Sequence, residues 1–154
     1  PIALLGAMVE HFDGADFALD RYESATEWNE ARNRARAGHA IPFVQGTASG
    51  TTLGLARIES PDAQLAATTL QRFLDDRLPT LPGTPDLDFI HGEDTLLNLV
   101  HGHPDRVGFL LPTLDKHELF ASITRDGATP RKTFSLGEAH EKRYYIECRR
   151  IQPD

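Results

Sequence analysis

Two strand-like runs separated by a four-residue connection constrain the fold of this chain more than any other feature. IPFVQG (41–46) and TTLGLARI (51–58) contain several β-branched or aromatic residues, and TASG (47–50) joins them. A connection this short brings consecutive strands together as a hairpin. The sequence therefore predicts a sheet around this hairpin, against which the other elements pack.

Helix-start signals lie before and after the hairpin. SATE (24–27) is a capping box, in which a serine hydroxyl and a glutamate carboxylate satisfy backbone N–H groups. Ser60-Pro61 and DKHE (115–118) indicate two further starts, and Glu93-Asp94 suit the positive end of another helix. The apolar side chains expected to face the core from these helices are Trp28, Leu65, Leu70, Phe73, Leu74, Leu96, Leu97, Val100, Leu119, Phe120 and Ile123.

Three more runs predict strands: LDFIHG (87–92), VGFLLP (107–112) and KRYYIECRRI (142–151). The second is apolar without alternation, which indicates a central strand covered on both faces. The element order, α-β-β-α-β-α-β-α-β, predicts an α+β or α/β fold in which a mixed sheet packs against about four helices. The length of 154 residues fits one domain, 1–154.

Composition excludes several classes of protein. The single cysteine, Cys148, rules out an intrachain disulfide and suits a reducing, cytoplasmic setting. No apolar run approaches the ~20 residues that span a membrane, and the opening residues lack the features of a signal peptide. The start at Pro1 instead of methionine suggests a processed product or a fragment of something longer. No cofactor-binding motif such as a glycine-rich phosphate loop is present.

Charge is unevenly distributed along the chain. Residues 131–154 carry a net charge of +2, whereas the whole chain carries −7. Nucleic-acid binding depends on neutralising phosphates, so a chain this acidic is not expected to bind nucleic acid. Alternation in the terminal run places Tyr144, Ile146 and Cys148 on one face, which is expected to be core, and charged residues on the other.

Three blocks of the sequence resemble one protein family. PRKTFSLGEAHEKRYYIECRRI (130–151), LDFIHGEDTLLNLV (87–100) and VGFLLPTLDKHELFASITRDG (107–127) are similar to sequence blocks of domain of unknown function 1015. Members of that family are longer, and their other half carries a D-G-H-H-R motif, which does not occur here. The resemblance implies that this chain is the C-terminal portion of such a protein and packs against an N-terminal domain of the same polypeptide.

The best ligand-binding candidates are cations and hydroxyls near the C-terminus. Such groups grip phosphate or carboxylate through charge-assisted hydrogen bonds, although a salt-bridged structural loop has the same composition. The candidates are Arg131, Lys132, Thr133, Ser135, Lys142 and Arg143.

His91 and Glu93 are weaker, catalytic candidates. A histidine at a strand end before a helix is well placed for proton transfer, with Glu93 or Asp94 orienting its ring. The alternative is a glycine turn followed by acidic helix-start residues. His101 and His103 resemble a metal pair only superficially and are expected in an exposed loop, so no metal site is predicted.

These features lead to three hypotheses about function. The first is a domain that completes a small-anion site, for a phosphate or carboxylate metabolite, together with the N-terminal half. The second is an autonomous enzyme on a phosphorylated or carboxylated metabolite, with His91 as acid/base. The third is a non-catalytic scaffold or assembly domain.

Overall fold

A computed structural model of the chain describes residues 2–12, 16–34, 38–112 and 116–127. The helices are α1 (Ile2–His11), α2 (Ala25–Arg34), α3 (Ala66–Arg77), α4 (Glu93–Val100) and α5 (Lys116–Asp126), and a short 3-10 helix (Leu78–Thr80) follows α3. The strands are β1 (Phe17–Tyr22), β2 (His39–Thr47), β3 (Gly50–Ile58) and β4 (Val107–Phe109). The fold is α+β, one of the two classes that the sequence predicts.

The described strands form one four-stranded sheet in the order β1-β3-β2-β4, and each neighbouring pair is antiparallel. The predicted hairpin is confirmed: β2 and β3 pair along their whole length, up to Thr47 opposite Gly50. The antiparallel pairing favours α+β over the α/β alternative, because strands of an α/β sheet run mostly parallel.

Helices cover both faces of this sheet. Alternate residues of a strand point to opposite faces, so each strand contributes to two separate cores. On one face, Ile41 and Phe43 of β2 pack with buried residues of α1 and α3. On the other face, Val44 of β2 packs with Trp28 of α2 and Val100 of α4. The hairpin is thus the shared middle layer of the domain.

Gly54 in β3 allows a close approach within the first core. Phe43 lies directly opposite it in the sheet register. A Cβ atom on Gly54 would collide with the ring of Phe43. The missing side chain therefore provides the space in which the phenylalanine ring packs across the neighbouring strand.

LDFIHG does not form the predicted strand. Residues 84–91 have no regular secondary structure, and the side chains of Leu87 and Phe89 are 40% and 42% exposed. The carboxylate of Asp86 accepts the N–H of Leu87 at 2.9 Å, and that of Asp88 accepts the N–H of Phe89 at 2.7 Å. These local hydrogen bonds use backbone donors that a strand would give to a neighbour.

VGFLLP was expected at the centre of the sheet, and this prediction is wrong for the described strands. Only Val107–Phe109 is a strand, and its one described partner is β2, so it lies at an edge. The run still contacts both cores, since Phe109 packs on the α1–α3 side and Leu110 on the α2–α4 side. Covering helices, not a central position, explain its continuous apolarity.

Other predictions differ in extent. The helix predicted to start at Ser60-Pro61 begins instead at Ala66, and Asp62 in the intervening loop accepts hydrogen bonds from Thr69 and Arg72 of that helix. Ile123 of α5 is 45% exposed and does not face the core. Helix α1 and strand β1 were not predicted. The predicted strand 142–151 and the side chains of Leu119 and Phe120 lie outside the described residues.

Candidate functional site

The catalytic candidates His91 and Glu93 lie at the start of α4. His91 is exposed in the irregular segment before the helix, and Glu93 is the first helical residue. Gly92 between them has φ 92°, a backbone conformation that favours glycine and turns the chain into the helix. The predicted helix start is therefore confirmed.

Arg32 of α2 engages both carboxylate oxygens of Glu93. Its Nη1 donates to Oε1 at 2.8 Å and its Nη2 donates to Oε2 at 3.1 Å. The same guanidinium lies 4.6 Å from the ring centroid of Trp28. The indole Nε1–H of Trp28 in turn donates to the Gly54 carbonyl at 2.7 Å. This chain of contacts joins α4, α2 and β3.

The two-pronged contact changes what Glu93 can do chemically. A carboxylate that orients an imidazole strengthens the ring as a base through its negative charge. In Glu93 both oxygens bind a guanidinium, and the negative charge is neutralised there. The geometry therefore supports a bracing role between two helices, while proton transfer by His91 stays a prediction.

A second ion pair lies on the sheet face that α2 and α4 cover. Asp20 of β1 accepts two hydrogen bonds from the Arg57 guanidinium of β3, at 2.7 Å and 3.3 Å. This contact raises the pKa of Arg57. Burial raises the pKa of nearby Tyr22, and the Asp20 charge adds to the effect, so the phenol stays protonated at neutral pH. Both carboxylate oxygens of Asp20 bind the Arg57 guanidinium, so the positive charge of Arg57 is already balanced.

A buried histidine that sequence reasoning missed lies at the start of β2. His39 is 9% exposed, and its Nε2 lies 3.0 Å from the Ala63 carbonyl oxygen. A carbonyl only accepts, so Nε2 carries the hydrogen. Burial lowers the pKa of His39, against opposing contributions from the Ala63 and Gly38 backbone and from Asp62 and Asp126. The ring is therefore neutral at pH 7.

Two carboxylates secure the loop that contains Ala63. Asp126, at the end of α5, accepts the Gln64 backbone N–H at 2.6 Å, and its side chain is only 7% exposed. Asp62 accepts hydrogen bonds from Thr69 at 3.3 Å and Arg72 at 2.8 Å. Burial acts to raise the pKa of Asp62, but the Arg72 and Thr69 contacts prevail and lower it.

The only sequence signal for this cluster is a histidine placed directly before the apolar run of β2. Its partners are 24 residues away at Ala63, and farther still at Asp126, so the pattern of neighbouring residues does not reveal them.

The remaining candidates fall into two groups. His101 and His103 are exposed, as expected for a loop. In the described part of the chain, no group of three or more His, Cys, Asp or Glu side chains is arranged to hold a metal ion. The six anion-binding candidates, Arg131, Lys132, Thr133, Ser135, Lys142 and Arg143, lie outside the described residues.

Comparison with known proteins returns no matching family model, no matching curated protein and no matching solved structure. The resemblance to domain of unknown function 1015 thus rests on the three sequence blocks. Among the described helices, none has the length and apolarity needed to cross a membrane.

Proposed function

We propose that this chain is the C-terminal domain of a longer protein and completes a small-anion site with the N-terminal half of that protein. The anion is a phosphate or carboxylate group of a metabolite. Lys132, Thr133 and Arg143 bind it from this side. The three blocks that resemble domain of unknown function 1015 are the sequence basis for the arrangement.

The outward face of α1 is the observation that carries the proposal. The inward face of this helix buries Leu4, Leu5 and Met8. The outward face is also apolar, and it consists of Ile2, Ala3, Gly6 and Val9, followed by Glu10. Ile2 is 77% exposed and Val9 is 47% exposed. A helix that is apolar all round is normally buried all round, so a second partner is expected on this face.

The ion pairs of the arginines in the described residues support placing the anion contacts in the C-terminal segment. Eight arginines are described, and six of them form ion pairs with carboxylates; these are Arg32, Arg34, Arg57, Arg72, Arg77 and Arg125. An arginine whose charge is balanced by a nearby carboxylate attracts a further anion less strongly than an unpaired one. Residues 131–143 add four more cations, Arg131, Lys132, Lys142 and Arg143, against two anions, Glu138 and Glu141.

Thermal unfolding with added anions tests the proposal. Inorganic phosphate and small carboxylates are added to this chain and to the proposed longer polypeptide, which adds the N-terminal half. We expect phosphate or a carboxylate to raise the melting temperature of the longer polypeptide, and Lys132→Ala or Arg143→Ala to abolish that rise. Added NaCl should weaken the effect, because salt screens exposed charges.

Arg34→Ala is the matched control. Arg34 is an exposed cation that pairs with Glu30 within α2, so its loss should leave the anion effect intact. The proposal fails if no anion shifts the melting temperature of either polypeptide while both Lys132→Ala and Arg143→Ala destabilise the fold. That outcome would make the basic segment structural and favour the scaffold hypothesis.

A further inference from the structure

The loop between β3 and α3 is attached to three different elements through neighbouring residues. Ala63 is bound by His39 of β2, and the next residue, Gln64, is bound by Asp126 of α5. Asp62 is bound by Thr69 and Arg72 of α3. Three consecutive residues thus join the sheet, α3 and α5. The contact at Ala63 depends on the titratable side chain of His39, and the contact at Gln64 depends on that of Asp126.

We propose that His39, Asp62 and Asp126 form a pH-sensitive clasp that holds this loop on the sheet at neutral pH and releases it from β2, but not from α3, when the medium becomes mildly acidic. The clasp is defined here as these three side chains together with loop residues 62–64. The proposal is independent of the function proposed above.

The first step of release follows from the burial of His39. When the loop opens, the imidazole meets water and regains its ordinary pKa of 6.5, whereas in the closed state its pKa is lower. The open state therefore takes up a proton first. Closure is fully favoured above pH 6.5 and loses stability as the pH falls below that value.

The contact between Asp62 and α3 remains intact at the pH at which His39 becomes protonated. The pKa of Asp62 lies below its ordinary value of 3.8, so its carboxylate remains charged, and bound to Arg72, throughout mild acidity. Its contribution to stability is present above pH 3.8 and is lost only as the pH falls through the lower, folded-state pKa. Between pH 6.5 and 3.8, His39 is the group at this loop that drives opening.

The other charges around His39 limit the effect without reversing it. The Asp62 and Asp126 carboxylates and the Gly38 and Ala63 backbone all favour the imidazolium ion, but burial outweighs them. The two carboxylates are themselves neutralised in part by cations, Asp62 by Arg72 and Asp126 by the neighbouring Arg125 at 3.9 Å.

Hydrogen–deuterium exchange of this chain at pH 7.5 and pH 5.0, corrected for the intrinsic effect of pH, tests the clasp. We expect peptides covering residues 59–65 to lose protection at pH 5.0, by about threefold or more, while β3 and the helical part of α3 keep theirs. In His39→Gln the difference between the two pH values should disappear, because a glutamine amide donates to a carbonyl but does not titrate in this range. His103→Gln, the same change at an exposed loop histidine, should behave like the parent chain.

An NMR titration of the histidine side chains keeps the test decisive if His39→Gln does not fold. The clasp requires the His39 ring to titrate below 6.5 in the folded parent chain. A midpoint at or above that value would overturn the proposal. Equal pH dependence of the loop in the parent chain and in His39→Gln would overturn it as well.

Discussion

Helices α1 and α2 are both ten residues long and lie on opposite faces of the same sheet, but their sequences are almost opposites. Helix α2 is polar and buries a single residue, Trp28. Helix α1 is apolar nearly throughout and buries three residues, yet it leaves Ile2 and Val9 exposed. The contacts within the domain explain why α2 has its sequence. For α1, the contacts among the described residues explain only the inward half.

This difference in sequence corresponds to two ways in which a helix is attached to the sheet. Helix α2 is held by one large side chain and by directional contacts, namely the Trp28 hydrogen bond to Gly54 and the Arg32–Glu93 pair. Helix α1 is held mainly by apolar area, which is non-directional and attracts any complementary apolar surface. A polar outward face keeps α2 in water, whereas the outward face of α1 suits a second layer of protein.

Removing the anchor of α2 should have the strongest effect. Trp28 is 2% exposed, so Trp28→Ala is expected to lower the free energy of unfolding by about 3–5 kcal/mol, since it leaves a cavity. Trp28→Phe keeps much of the packing and loses the hydrogen bond to Gly54, at a cost of about 1–3 kcal/mol for an unsatisfied carbonyl. Urea unfolding measures both. Equal costs for the two variants would show that the hydrogen bond, not the packed ring, anchors the helix.

Neighbouring substitutions on α1 should differ sharply in effect. Met8 is fully buried, so Met8→Ala should cost about 2–5 kcal/mol. Val9→Ser alters the exposed face and should stay within about 0.5 kcal/mol of the parent chain, because valine and serine have similar helix propensities. Both values come from urea unfolding of this chain. If Val9→Ser costs as much as Met8→Ala, the outward face is already covered within the domain.

The Arg32–Glu93 brace should contribute least. The pair is partly exposed, with side-chain exposures of 24% and 40%, so Glu93→Gln is expected to cost about 0.2–1 kcal/mol. A double-mutant cycle with Arg32→Gln isolates the coupling, which should shrink in 1 M NaCl by screening (a Debye length of about 3 Å). A coupling of zero at low salt would show that this pair does not brace the two helices.

The sequence predicts those parts of the fold whose signals are local. The β2–β3 hairpin follows from its short connection, and the start of α2 follows from Ser24, whose hydroxyl accepts the Glu27 N–H at 3.2 Å. Helix α1 was missed because apolar residues on all sides leave no helical period to detect. In LDFIHG the composition of a strand was overridden by Asp86 and Asp88, which bind neighbouring backbone.

The site was less predictable than the fold because its contacts join residues far apart in the chain. Arg32 and Glu93 are separated by 61 positions, and their contact links α2 to α4 through a residue that the sequence suggests only as a catalytic candidate. His39 is buried by a loop that follows β3, and its contact with Ala63 spans 24 positions. Single-sequence patterns report neighbours within a few residues, so neither pairing leaves a pattern that can be detected.

Chemical labelling of a cysteine on the outward face of α1 tests whether this face is covered in the longer protein that we propose. Val9→Cys is treated with a maleimide in this chain and in the proposed longer polypeptide. Labelling is followed by peptide mass spectrometry so that native Cys148 is counted separately. Ser49→Cys, in the exposed hairpin turn, is the control. We predict rapid labelling at position 9 in this chain, slow labelling in the longer polypeptide, and equal labelling of position 49 in both. Equally rapid labelling of position 9 in the two polypeptides would contradict an interface at α1.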